Sequence, residues 1–218
     1  MKEQRTALIL GATGLIGSEL LTILLNSKEY SQVTIIVRRK IQNHHAKLKQ
    51  VEISDFEQLS NHSDLFKVTD VYSCLGTTIK KAKSKENFKK VDYDYTLLAA
   101  ELASENHVDN FLTVTALGSN PNSMFFYNQV KGNVERDLKK IPLSCVHIFQ
   151  PSLLLGNRNE YRAGEKMAEK VSSALPFLFS GPLKKYKPIE GKTVAESIYK
   201  KALQNQKGFF IHASDSLY

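Results

Sequence analysis

Two patterns of apolar residues alternate along this chain: short continuous runs and longer stretches with three- and four-residue spacing. The runs predict buried parallel strands at Arg5 to Leu10, Val33 to Val37, Asp70 to Leu75, Asn110 to Thr115, Ser144 to Phe149 and Gly208 to Ile211. The spaced stretches predict helices at Leu15 to Asn26, Ser84 to Glu105, Met124 to Lys140, Glu160 to Ala174 and Thr193 to Gln204. A short strand at Lys47 to Ile53 and a helical turn at Asp55 to Ser60 complete the pattern. The alternation predicts an α/β fold, a doubly wound parallel sheet with helices on both faces.

Composition changes this picture little. The 218 residues suit one domain, here 1–218, with residues 151–205 contributing a small substrate-side cap. The net charge of +8 comes partly from lysines at 80, 81, 83, 85, 89 and 90, which we expect to form a solvated face. They form no interleaved aromatic platform of the kind that binds nucleic acid, and no apolar run approaches the roughly 20 residues that span a membrane. Neither nucleic acid nor membrane is therefore an expected partner.

The two cysteines and the clustered histidines carry no predicted chemistry. Cys74 and Cys145 fall on predicted strands separated by a third, about 10 Å apart, which is beyond disulfide reach. Free cysteines favour a reduced, cytoplasmic protein. His44, His45 and His62 have no carboxylate or cysteine at ligand spacing beside them, so we expect solvated histidines and no metal.

The most informative stretch is Gly11-Ala-Thr-Gly14-Leu-Ile-Gly17, which lies between the first strand and the first helix. Gly11 can adopt the tight bend that ends the strand, Gly14 lets the backbone approach an anion, and Gly17 lets the helix lie close to the sheet. The helix then points its positive end at whatever binds above the turn. A pyrophosphate suits that position, although a plain glycine-rich loop is the alternative.

The second strand ends in Val37-Arg38-Arg39-Lys40, where an NAD-binding protein would carry a carboxylate for the ribose 2′-hydroxyl. Two guanidinium groups instead fit a 2′-phosphate bidentately, which favours NADP over NAD. Solvated arginines are the alternative. The strand that ends near Leu75 continues into Gly76-Thr77-Thr78, where Gly76 can pass close to the cofactor and Thr77 can donate a hydroxyl.

Tyr127 and Lys131 form the predicted chemical centre. Residues four apart on a helix share one face, and an adjacent ammonium favours the phenolate form that acid–base chemistry on a carbonyl needs. Thr115, at the end of a strand twelve residues earlier, can hold the substrate oxygen, with Ser119 as a competitor. A surface tyrosine stacked on a lysine stem is the alternative.

These motifs, together with Cys-Leu-Gly-Thr-Thr at 74–78, Gly132 after Lys131 and Pro-Ser-Leu-Leu-Leu-Gly at 151–156, resemble the extended and atypical short-chain dehydrogenase/reductases. The subgroup of Tat-interacting-protein-like oxidoreductases is especially similar. The resemblance implies a Rossmann core, NADP(H) and a Ser/Thr-Tyr-Lys set. Gln150 stands where relatives often carry arginine, and Asp92 stands near an asparagine that holds a relay water in extended members.

Carried over by position, Tyr127 is the proton donor or acceptor, Lys131 binds the nicotinamide ribose, Thr115 takes the serine or threonine place, and Pro151 and Leu153 lie against the nicotinamide. The predicted cofactor-binding set is Gly11, Thr13, Gly14, Leu15, Ile16, Gly17, Arg38, Arg39, Leu75, Gly76, Thr77, Tyr127, Lys131, Pro151 and Leu153. We expect an NADP-dependent oxidoreductase, monomeric or homodimeric, that uses NADPH to reduce a small-molecule carbonyl substrate. A non-catalytic NADP(H)-sensing protein of the same fold is the alternative.

Overall fold

A seven-stranded parallel sheet forms the centre of the computed structural model, which describes residues 4–156 and 181–217. The strands are β1 (Arg5–Leu10), β2 (Tyr30–Val37), β3 (Leu48–Glu52), β4 (Asp70–Ser73), β5 (Asn110–Val114), β6 (Cys145–Gln150), and β9 (Gly208–Ala213), in the order β3-β2-β1-β4-β5-β6-β9. A separate parallel pair joins β7 (Leu154–Leu155) to β8 (Ile189–Glu190). From β1 the strand order runs to β2 and β3 on one side and to β4, β5 and β6 on the other. This change of direction places a crevice between the carboxyl ends of β1 and β4.

Helices cover both faces of this sheet. They are α1 (Leu15–Asn26), α2 (Ile79–Ala82), α3 (Lys85–Lys89), α4 (Tyr95–Glu105), α5 (Phe126–Leu138) and α6 (Gly191–Ala202). One apolar core lies under α1 and α6, with Leu20 and Val194 at its centre, and the other lies under α4 and α5, with Ala99 and Val134. The predicted doubly wound α/β fold of the Rossmann type is confirmed.

Two predicted elements differ from the observed ones. The single helix predicted from Ser84 to Glu105 is interrupted by a π-helical turn at Lys90–Asp94, which separates α3 from α4. Ser84 does cap the start, because its side chain accepts a hydrogen bond from the Asn87 amide. The turn predicted at residues 55–60 extends as a 3-10 helix over Phe56–Phe66. The helix predicted at residues 160–174 lies outside the described residues.

A buried polar cluster joins the amino ends of the central strands, at the edge opposite the crevice. Asp70, which is fully buried, accepts two hydrogen bonds from the Arg5 guanidinium, at 2.7 and 2.5 Å. The Tyr30 hydroxyl donates to Asp70 at 2.6 Å, and the Asn110 amide donates at 2.7 Å. Burial and the Asp70 charge raise the pKa of Tyr30, so its phenol stays protonated.

A stack of rings joins β6 to the edge strand β9. His147 is buried, its Nδ1 lies 2.9 Å from Nε2 of His212, and its ring stacks on Phe210 at 5.0 Å between centroids. Cys145 lies 3.2 Å from the other nitrogen of His147. Cys74 and Cys145 are both free, with β5 between their strands, as predicted. Across residues 4–156 and 181–217, no helix has the length and apolar character to cross a membrane.

Candidate dinucleotide and acid–base site

The glycine turn is shaped by three close backbone approaches. Gly11 has φ of 79°, and a methyl group there would collide with the carbonyl of Cys74, the residue that follows β4. The Gly14 amide donates to the Gly11 carbonyl at 3.0 Å, which closes the turn. A methyl group at Gly17 would collide with the Gly11 backbone, so only glycine lets α1 begin this close to the strand.

The start of α1 is open to an anion. Gly14 occupies the cap position, no side chain caps the helix, and its first turn carries no acidic residue. Thr13 and Gly14 are exposed at this end, whereas Ile16 is buried beneath it. The positive end of the helix dipole therefore faces the crevice without a competing carboxylate.

Leu15, the first residue of α1, contacts two other segments of the chain. Its side chain packs against the backbone at Gly156 and Gly191, where added methyl groups would collide with it. Leu15 thus joins the glycine turn to the segments at β7 and α6. Its backbone belongs to the first turn of α1, next to the cap position at Gly14.

Arg38 and Arg39 lie at the same sheet edge as the glycine turn. Ile36 of β2 is in register with Leu10 of β1, so the two arginines extend just past the level of Gly11. Both are exposed, and neither forms an ion pair with any residue in the described part of the chain. Two guanidinium groups are available to an anionic ligand beside the turn.

The loop after β4 forms the other wall of the crevice. The Cys74 amide donates to Leu10 at 2.9 Å, which continues the pairing of β1 and β4 into this loop. Leu75 packs against the core under α4, and Gly76 is exposed. The amide of Thr77 donates to Oδ2 of Asp92 at 2.8 Å, so this wall is tied to the π-helical turn.

Lys131 is held by the same carboxylate. Its Nζ lies 2.8 Å from Oδ1 of Asp92, and the two side chains are 5% and 1% exposed. A second, longer bond reaches the Val114 carbonyl at 3.4 Å. Burial lowers the pKa of Lys131, but the charges of Asp92 and Tyr127 outweigh burial and raise it, so the ammonium stays charged.

Tyr127 lies one helical turn before Lys131 on α5, on the same face, as the four-residue spacing predicts. Its half-buried ring packs against Phe88 of α3, with 5.6 Å between centroids and a 48° tilt. The residues predicted from sequence as a pair are therefore placed on one helix face, and α3 holds the tyrosine ring from the side.

Thr115 is hydrogen-bonded to Glu135, a residue that was not predicted from the sequence. Thr115 is buried, and its hydroxyl donates to Oε1 of Glu135 at 2.5 Å. The Gln150 amide donates to both oxygens of the same carboxylate at 3.0 Å. Ser119 also lies near this carboxylate, but its own hydroxyl bonds to the Ala116 carbonyl at 2.7 Å. The signal that could have found Glu135 is its position four residues after Lys131.

Pro151 and Leu153 follow β6 at the same edge. The Pro151 carbonyl accepts from Leu117 at 2.9 Å, and the Leu153 carbonyl accepts from Ile189 at 3.0 Å. Pro151 is buried and Leu153 is half-buried. Within the described ranges, no three His, Cys, Asp or Glu side chains are grouped to hold a metal ion.

One edge of the parallel sheet carries an open helix start, two exposed arginines and a buried ammonium. Together these features define a Rossmann-fold protein of the dinucleotide-binding type. The chain belongs to the NAD dependent epimerase/dehydratase family, whose model matches residues 7–134.

Two curated relatives are similar over most of this chain. Protein HTATIP2 of Rattus norvegicus is 37% identical over 177 residues, which are 80% of this chain and 73% of that protein. Protein FMP52, mitochondrial, of Candida albicans is 37% identical over 173 residues, or 76% and 74% of the two chains. These similarities confirm the resemblance to the Tat-interacting-protein-like subgroup.

Solved structures share the fold at low sequence identity. WbmH of Bordetella bronchiseptica, in complex with NAD⁺, superposes with a TM-score of 0.73 at 16% identity and covers 97% of this chain and 76% of that one. A short chain dehydrogenase family protein from Francisella tularensis gives 0.65 at 15% identity, covering 96% and 97%.

The comparisons correct one expectation. Several yeast relatives are named as mitochondrial proteins, which contradicts the cytoplasmic setting inferred from the cysteines. Two free thiols indicate a reducing environment and do not distinguish between the compartments that provide one.

Proposed function

We propose that this protein is an NADP-dependent oxidoreductase that reduces a small carbonyl compound, with Tyr127 as the proton donor. The observation that carries the proposal is the buried Lys131, kept charged one turn from Tyr127 at the sheet edge where the glycine turn opens. Membership of an NAD dependent family supports it. So do structural neighbours that were solved in complex with NAD.

The residues of the crevice fit a dinucleotide. The glycine turn leaves no Cβ between the α1 start and a pyrophosphate, and no acidic side chain opposes it. Arg38 and Arg39 would hold the 2′-phosphate, because two exposed guanidinium groups at the end of β2 match its oxygens. Gly76 would let the β4 loop lie close to the ribose.

The residues proposed for acid–base chemistry lie on α5. When bound, a nicotinamide cofactor supplies the hydride that a carbonyl carbon accepts. Tyr127 gives its proton to the carbonyl oxygen, and the charge of Lys131 stabilises the phenolate that remains. Asp92 keeps Lys131 in place through the 2.8 Å ion pair. Pro151 and Leu153, which follow β6 at the same sheet edge, would lie against the nicotinamide.

Cofactor choice is tested by titrating NADPH and NADH, followed by cofactor fluorescence because the chain has no tryptophan. We expect Arg38→Ser and Arg39→Ser to weaken NADPH binding about tenfold each, as loss of a charge-assisted hydrogen bond implies, and to leave NADH binding unchanged. Arg136→Ser is the matched control, since Arg136 pairs with Asp137 away from the crevice at 2.7 Å. Equal affinity of the native protein for both cofactors would overturn the NADP assignment.

The chemistry is tested by Tyr127→Phe on a panel of small carbonyl compounds. We expect turnover to fall about a hundredfold or more, with NADPH affinity retained, because general acid catalysis contributes that much. Tyr93→Phe, which removes a hydroxyl bonded to Asp137 at 2.8 Å, serves as control. Unchanged turnover in Tyr127→Phe would refute its role. NADPH binding without any turnover, with protein partners that change on binding, would favour the sensing protein.

A further inference from the structure

Glu135 accepts hydrogen bonds from several polar groups of the site, but it has no role in the chemistry proposed above. Its carboxylate accepts the Thr115 hydroxyl at 2.5 Å and the Gln150 amide at 3.0 Å on each oxygen. In the described part of the chain it forms no ion pair; the cation that acts on it is Lys131, one turn earlier on α5, which is itself paired to Asp92. The carboxylate is therefore held by neutral donors.

The identity of these donors limits what Thr115 can do. A hydroxyl has one proton and two lone pairs, so a threonine that donates to a carboxylate has only lone pairs left for a substrate. A carbonyl oxygen is also only an acceptor. As long as Glu135 is ionised, Thr115 can receive a hydrogen bond from an alcohol but cannot give one to a carbonyl.

Protonation of Glu135 reverses this direction. A carboxylic acid can donate to Thr115, whose own proton then becomes free to turn toward a carbonyl oxygen. Burial raises the pKa of Glu135, while hydrogen bonds from Thr115 and Gln150, the nearby Ser119 hydroxyl and the charge of Lys131 lower it, and burial outweighs them. The groups that face the carboxylate are thus three neutral side chains from the β5 and β6 sides and one ammonium from its own helix.

We propose that Glu135 is a positioning residue whose protonation state sets the hydrogen-bond direction of Thr115, making the site a donor to carbonyls when protonated and an acceptor from alcohols when ionised. The proposal rests on the proposed function. No proton is consumed at Glu135 itself, because Tyr127 supplies the proton that the carbonyl oxygen gains. Glu135 acts only through the orientation of the threonine hydroxyl.

The test compares pH profiles of kcat/KM for carbonyl reduction. In the native protein, we expect the rate to fall as pH rises through the titration of Glu135. Glu135→Gln, which keeps an acceptor for Gln150 and Thr115 but cannot ionise, should lose this limb. Gln150→Arg adds an opposite charge beside the carboxylate and should move the limb about one pH unit or more lower. A limb that persists in Glu135→Gln, or that stays in place in Gln150→Arg, overturns the proposal.

A second readout separates this proposal from the proposed function. Infrared spectra of the carboxyl stretch, with Glu135 assigned by its loss in Glu135→Gln, follow the titration without any turnover. Thr115→Val removes one donor to the carboxylate and should raise the titration midpoint by about one pH unit, the smallest shift that a lost charge-assisted hydrogen bond implies. An unchanged midpoint refutes the coupling. If the midpoint moves as expected but no carbonyl is reduced, the proposed function fails and the coupling of Glu135 to Thr115 stands.

Discussion

Mild acid should destabilise the fold through the paired histidines of β6 and β9. Burial, then the charges of His212 and Lys201, lower the pKa of His147 to about 4, and the pKa of His212 is also lowered to about 4. A histidine in the unfolded chain titrates near 6.5. Below that pH the unfolded state binds more protons than the folded state, so stability is complete above about pH 6.5 and is lost as pH falls toward 4.

The size of the effect follows from the two pKa values. Consider a histidine whose pKa is 6.5 in the unfolded chain and about 4 in the folded protein. When the pH falls from 7 to 5, this difference lowers the free energy of unfolding by about 2 kcal/mol. The buried His147 should contribute this amount. His212 is half-exposed and adds less, because solvent screens its interactions.

Urea unfolding followed by far-ultraviolet circular dichroism at pH 7, 6 and 5 measures this loss. His147→Gln removes the titrating ring and should lower stability at pH 7 while flattening the dependence between pH 7 and 5. His44→Gln changes an exposed histidine and should keep the native slope. If the native protein and His147→Gln lose equal stability over this range, the ring pair is not the source of the acid sensitivity.

Two further predictions concern a buried charge and a close backbone contact. Asp70→Ala removes the buried carboxylate that accepts from the partly buried Arg5 guanidinium, the Tyr30 hydroxyl and the Asn110 amide, and should lower the unfolding free energy by about 3 to 5 kcal/mol in urea titrations. The exposed Asp109→Ala should change it by less than about 0.5 kcal/mol, and a loss that small in Asp70→Ala would contradict the assignment. Gly17→Ala places a methyl group against the Gly11 backbone and should cost about 1 to 3 kcal/mol and weaken NADPH binding, measured by fluorescence titration. Ser18→Ala is the control for this variant. If Gly17→Ala is as stable as the native protein, the turn relaxes to accommodate the methyl group.

The parts of the fold that sequence predicted are the ones fixed by neighbouring residues. The strand positions follow from continuous apolar runs, although β2 begins three residues before the predicted Val33. The glycine turn follows from a backbone conformation that favours glycine, as at Gly11. The helix pair Tyr127 and Lys131 follows from the 3.6-residue period in the same way. Each of these signals lies within about ten residues of chain.

The π-helical turn escaped prediction because its cause is distant in sequence. Residues 84–105 carry a regular helical pattern, and nothing local interrupts it. The extra residue in the turn brings Asp92 to Lys131, 39 positions along the chain, and to the Thr77 amide on another loop. Tertiary contacts therefore override the local preference for an unbroken helix.

The position of Asp92 links the two halves of the proposed site. One of its oxygens binds the amide of the β4 loop and the other binds the ammonium on α5, and the carboxylate is almost completely buried. Because the carboxylate lies in a region that water does not reach, moving the loop would leave its Oδ2 without a donor, although Lys131 would still pair with Oδ1. The loop that would meet the dinucleotide and the lysine that would support proton transfer are thus held in one geometry. Under the proposed function, a dinucleotide that contacts the β4 loop would therefore meet a loop already joined to Lys131 through Asp92.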